Sequence, residues 1–176
     1  MEKTEIARMI DHTTLGPGST REDVERVCKE AGDYGFAAVC VEPIYVSFAK
    51  ELLEDSEVKI ATVVGFPHGS HKGQVKGFEA QLATEDGADE LDMVANIAAL
   101  KQGDYETVAR DIVAVTDVAE RSARDIDIKV ILEMGMLSQE EKRAGCVIAQ
   151  ASGADFVKTS TGFGHSGATV EDVKLM

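Results

Sequence analysis

Residues 146–164 read CVIAQASGADFVKTSTGFG, and this stretch holds the repeating unit of the chain. A helical pattern ends near Ser152, Gly153 follows, and the apolar run DFVKTS (155–160) begins at once. A glycine just past the last helical turn supplies the left-handed backbone that stops a helix. The same order of helix end, glycine and strand start recurs in AGDYGFAAV (31–39) and ATEDGADEL (83–91). Further short apolar runs are FAAVCV (36–41), IATVVGF (60–66), ELDMV (90–94) and IDIKVIL (126–132). Runs this short, bounded by Gly, Pro and Asp, read as buried parallel strands.

Between the runs lie stretches with helical periodicity: residues 19–33, 44–53, 73–86, 105–123 and 139–152. Ser19 or Thr20 followed by Glu22 and Asp23 makes a helix start, and so does Ser138 with Glu141 three residues on. Strand alternating with helix implies βαβ units on a parallel sheet. With IDHTTL (10–15) as a first strand, six such units are present. A (β/α)8 barrel needs eight units and usually about 200 residues or more. A doubly wound sheet would be complete at this length, although no GxGxxG follows the first strand. Pattern alone leaves both folds open.

Composition narrows the class. The 176 residues suffice for one domain, 1–176, with a sizeable core, and 44% of them are apolar. No apolar run approaches the roughly 18 residues that span a bilayer. The charged start MEKTEIARMI lacks a signal-peptide core. Three scattered cysteines without a CxxC or a Cys/His cluster read as free thiols, which argues against structural zinc and for the cytosol. A net charge of −14 repels phosphate backbones and disfavours nucleic acid as a partner. The acidity fits salt adaptation and an ordinary solvated surface equally well.

Three ionisable residues interrupt the apolar strands: Asp92 in ELDMV, Lys129 in IDIKVIL and Lys158 in DFVKTS. A parallel strand is covered on both faces, so a charge in its middle is costly unless paired or used. Turned into a barrel, they would put two cations and a carboxylate in one enclosed space. That suits amine catalysis: desolvation and a neighbouring cation both favour the neutral, nucleophilic lysine, and a carboxylate moves protons. Spacing alone favours the plainer reading, in which both lysines are structural ion-pair partners. After Lys158, TSTGFGHSG supplies hydroxyls and glycines ahead of a helix start at Thr169. Such backbone holds a phosphate, but a mobile glycine-rich loop has the same composition.

These residues carry a resemblance. DFVKTSTGFG, with GAT and EDV following, resembles the Schiff-base segment of deoxyribose-phosphate aldolases. IDHTTL, AAVCVEP, VVGFPHG, ELDMVANI and KVILEMG resemble that family's first five strands, in order and over nearly the whole chain. The resemblance implies a TIM barrel and a metal-independent, cofactor-free aldolase that cleaves 2-deoxyribose 5-phosphate to glyceraldehyde 3-phosphate and acetaldehyde. Lys158 matches the imine-forming lysine, Asp92 the proton shuttle and Lys129 a strand-5 lysine of the same pocket. Asp11 matches an acidic residue of strand 1. Cys40 matches a pocket thiol of some members, although a small core residue is the commoner role. Thr159, Thr161 and Gly162 fall in the substrate-binding loop. His68 stands where a strand ends, and loop capping is its plainer role. His71 and His165 read as loop residues.

The chain departs from that pattern at Met134, where the family usually has Thr, and at its end. It stops at Met176, in the helix after strand 6. The family continues with a strand bearing a second lysine in a KxxGG-type motif, then an eighth strand with a Gly/Ser loop. The expectation is therefore a C-terminally truncated barrel of about six units, a fragment or a truncated product. Its edges would invite a homo-oligomer, a dimer or tetramer. The competing functions are an inactive or weakly active folding and association module, and a different phosphosugar enzyme such as an isomerase.

Overall fold

Six parallel strands form one sheet in strict chain order, β1 (Asp11–Thr14), β2 (Ala38–Val41), β3 (Lys59–Val64), β4 (Glu90–Val94), β5 (Asp127–Ile131) and β6 (Phe156–Lys158). The computed structural model describes residues 2–176. A doubly wound sheet reverses its strand order at a switch point. Here no reversal occurs, so the strands follow the course of a barrel wall and make six-eighths of one. Among the described residues, β1 and β6 each pair on one side only.

The α-helices are α1 (Lys3–Ala7), α2 (Arg21–Tyr34), α3 (Val46–Leu52), α4 (Gly73–Asp86), α5 (Ile97–Lys101), α6 (Tyr105–Arg121), α7 (Gln139–Ala151) and α8 (Val170–Leu175). The helix starts follow the side-chain chemistry. Thr20 and Asp23 make a reciprocal capping box on α2, Ser138 and Glu141 make one on α7, and Thr169 caps α8. Gly35, Gly87 and Gly153 all take the left-handed backbone that turns a helix into the next strand. Two short helices were not expected. The apolar run IAALK that forms α5 begins just past Asn96, its cap, close behind β4, and α1 is only five residues long.

Strand pleating divides the buried side chains into two sets. Val39, Val41, Ile60, Leu91, Met93, Ile128 and Val130 join the helices in the main core. On the other face Ala38, Cys40, Ala61 and Val63 form a small separate cluster, covered by Leu15 and Phe66. Asp92 stands opposite Val63 on one side and Lys129 on the other in the strand register, so the inner face changes from apolar at β2–β3 to charged at β4–β6. No helix among the described residues is long and apolar enough to cross a membrane.

Candidate active site

The charged half of the inner face is built by residues two apart on successive strands. Glu90 and Asp92 share a face of β4, Lys129 lies beside Asp92 on β5, and Lys158 lies beside Ile131 on β6. Asp92 is 1% exposed, and its Oδ2 accepts a short hydrogen bond from the Lys158 ammonium. Its Oδ1 has no hydrogen-bond partner and lies 3.6 Å from Lys129 Nζ. Asp11 reaches across from β1. Its Oδ2 accepts from Lys129 Nζ at 2.7 Å and lies 3.7 Å from Lys158 Nζ. Glu90 closes the group, touching Lys129 and lying 3.3 Å from Lys59.

The structure therefore brings together Asp11, Asp92, Lys129 and Lys158, the four charged residues singled out in the sequence. It also adds a residue that the sequence reading missed. Glu90 opens its strand beside the turn residues GAD, where a carboxylate is unremarked; only the pleat puts it in line with Asp92. The two cations and two carboxylates singled out in the sequence thus gain a third carboxylate, Glu90. Carboxylates, not a second cation, are the charges in contact with Lys158.

Burial disfavours the Asp92 anion and raises its carboxyl pKa, and the Lys158 and Lys129 ammonium groups offset this only in part. At Lys129 burial works against the charge, but the carboxylates of Asp92, Asp11 and Glu90 outweigh it and raise the pKa. Lys129 is therefore a fixed cation. Burial, with the Asp92 charge, pushes the Cys40 thiol far up, so this cysteine sits in the inner apolar cluster as a protonated, poorly nucleophilic group. Cys40 is 2% exposed.

The segment after β6 is held to the end of β5. Met134 N–H donates to the Thr159 carbonyl at 2.7 Å. Thr161 donates its N–H at 3.2 Å, and its hydroxyl, to Glu133. Gly162 follows with φ 85°. Next to this turn is a cavity of about 400 Å³, lined by His68, Lys101, Glu133, Thr161, Phe163 and His165 among others. His68 and His165 both line this cavity on the C-terminal face, whereas His71 lines a separate cavity between α4 and α6. Lys76 is a further buried lysine, but it donates to the Val94 carbonyl and to Asp111, both at 3.0 Å, and ties α4 to its neighbours outside the barrel interior. Among the described residues no group of three or more His, Cys, Asp and Glu is arranged to hold a metal ion.

A parallel barrel wall with a lysine–carboxylate cluster inside, at the C-terminal end of its strands, is the kind of site in which an amine and a neighbouring acid–base group act together. Residues 6–176 match the profile of the DeoC/LacD family aldolases, and the chain belongs to that family. It is 55% identical over 172 residues to deoxyribose-phosphate aldolase 1 of Bacillus licheniformis, covering 98% of this chain and 76% of that one. It is 57% identical over 175 residues to the deoxyribose-phosphate aldolase of Thermococcus gammatolerans, with coverage of 98% and 76%. Among solved structures, the tetrameric deoxyribose phosphate aldolase of Aeropyrum pernix superposes with a TM-score of 0.91 at 34% identity, covering 99% of this chain and 72% of that one.

Proposed function

We propose that the chain is a Schiff-base deoxyribose-phosphate aldolase, cleaving 2-deoxy-D-ribose 5-phosphate reversibly to D-glyceraldehyde 3-phosphate and acetaldehyde. The observation that carries the reading is the direct contact of Lys158 Nζ with the buried Asp92, at the C-terminal end of a barrel strand. The names of the relatives, deoxyribose-phosphate aldolases, support the substrate.

In this reading Asp92 takes a proton from the Lys158 ammonium, and the freed amine adds to C1 of the open-chain sugar. Asp92 returns that proton to the carbinolamine hydroxyl, which leaves as water and gives the iminium. Asp92 then takes the C3 hydroxyl proton, the C2–C3 bond breaks, and glyceraldehyde 3-phosphate departs. Its electron pair stays on Lys158 as an enamine. Protonation at C2 and hydrolysis release acetaldehyde. The raised pKa of Asp92 suits a group that alternates between acid and base. Lys129 remains an ammonium and anchors Asp92 and Asp11 around the amine. Thr159, Thr161 and Gly162 make the substrate loop, with the phosphate at the glycine-rich turn. Cys40 forms part of the pocket wall.

The enzyme works without a metal or cofactor, as one barrel-type domain that assembles as a homo-oligomer. The tetrameric Aeropyrum relative supports the assembly. Three free cysteines support a reducing compartment, the cytoplasm. Borohydride reduction in the presence of substrate tests the chemistry. A stable adduct is expected on Lys158 and on no other residue. An adduct elsewhere, or one that persists in Lys158→Ala, would overturn the reading.

A further inference from the structure

Glu133 stands two residues past the end of β5 with φ 55° and ψ 59°, and it is the only non-glycine residue with positive φ among the described residues. A side chain is rarely held in this conformation unless the surroundings impose it. Here the surroundings are the segment that follows Lys158. The Glu133 carboxylate accepts both the N–H and the hydroxyl of Thr161, and the Thr161 oxygen in turn accepts the Phe163 N–H at 3.1 Å. Glycines let the two loops touch. A Cβ on Gly164 would lie 2.8 Å from Glu133 Oε1, and one on Gly135 would lie 2.2 Å from Ser166 Oγ. Glu133 is 3% exposed, and its Oε1 has no hydrogen-bond partner.

The arrangement sorts the donors of the turn. Thr161 and Phe163 amides are engaged, while those of Gly162 and Gly164 donate to no group among the described residues and are left for an anion. Glu133 is almost out of solvent and its Oε2 takes both Thr161 donors, so it braces the turn while also lining the neighbouring cavity. We propose that Glu133 is a positioning residue that makes the enzyme selective for a phosphorylated over a plain sugar, by fixing the Thr161–Gly164 turn in the shape that takes the phosphate. The inference rests on the aldolase reading above.

The test compares 2-deoxyribose 5-phosphate with unphosphorylated 2-deoxyribose as substrates, and traps the acetaldehyde imine on Lys158 with borohydride. Glu133→Gly keeps the left-handed backbone unstrained and removes the whole side chain with its carboxylate. Gly164→Ala disturbs the same contact from the other side. In both variants kcat/KM for the phosphorylated sugar is expected to fall at least about tenfold through KM, the scale of one charge-assisted hydrogen bond. Turnover of the plain sugar and acetaldehyde trapping should be retained. Equal losses on both sugars, or no loss, would overturn the positioning role while leaving the aldolase reading intact. If the parent chain itself trapped no acetaldehyde, both would fall together.

Discussion

Burial raises the Asp92 carboxyl above its value in the unfolded chain, so between the two pKa values the folded state binds more protons and stability falls as pH rises. At neutral pH the Asp92 charge is thus a stability cost carried for function. Asp92→Asn is expected to melt higher than the parent at pH 7 and at the same temperature at a pH below both pKa values, while turnover drops by about 10²-fold or more. A lower melting temperature at pH 7 would contradict this. Lys129 works with the opposite sign. Its raised pKa contributes stability that is complete below the unfolded pKa and is lost only as pH rises through the folded one, so no loss from this group is expected below strongly alkaline pH. A pH titration of the melting temperature of Lys129→Met against the parent checks it. The residues that interrupt apolar strands were legible in the sequence because hydropathy makes them conspicuous. Glu90 and Glu133 were not. One depends on which way a pleat points, and the other on a single backbone angle.

At the scale of elements, what local chemistry dictates was legible: the capping boxes at Thr20 and Ser138, the three left-handed glycines, and strand and helix spans to within a few residues. Periodicity left barrel and doubly wound sheet open, because strand order is a matter of long-range pairing that it does not encode; the family resemblance implied the barrel, and the strand order agrees with it. Loop packing was hidden for the same reason. Gly69, with φ 65°, sits so close to the loop after β4 that an added Cβ would be 1.9 Å from the Ala95 carbonyl oxygen. Gly69→Ala is expected to destabilise the chain by more than ~1 kcal/mol, seen in denaturant melts as an earlier midpoint at unchanged slope. Gly167→Ala, which meets nothing within 4 Å, serves as the comparison. Ser138→Ala, which removes the cap of α7, should cost about 1 kcal/mol in the same assay.

At the scale of the whole molecule, the proposed homo-oligomer rests on the tetrameric relative from Aeropyrum pernix. Light scattering on the purified chain is expected to give a multiple of the single-chain mass; a monomer at micromolar concentration would count against the oligomer. The bond between Asp11 and Lys129 has a further meaning here. It joins residues 118 apart in sequence, from the first strand to the fifth. Closing so long a segment carries an entropy cost that only a nearly assembled wall repays, so this contact belongs to the late side of the folding barrier. Asp11→Asn should therefore speed unfolding and leave the refolding rate almost unchanged. The cluster proposed for catalysis would then also act as a kinetic latch, setting how long a folded molecule lasts rather than how quickly it forms.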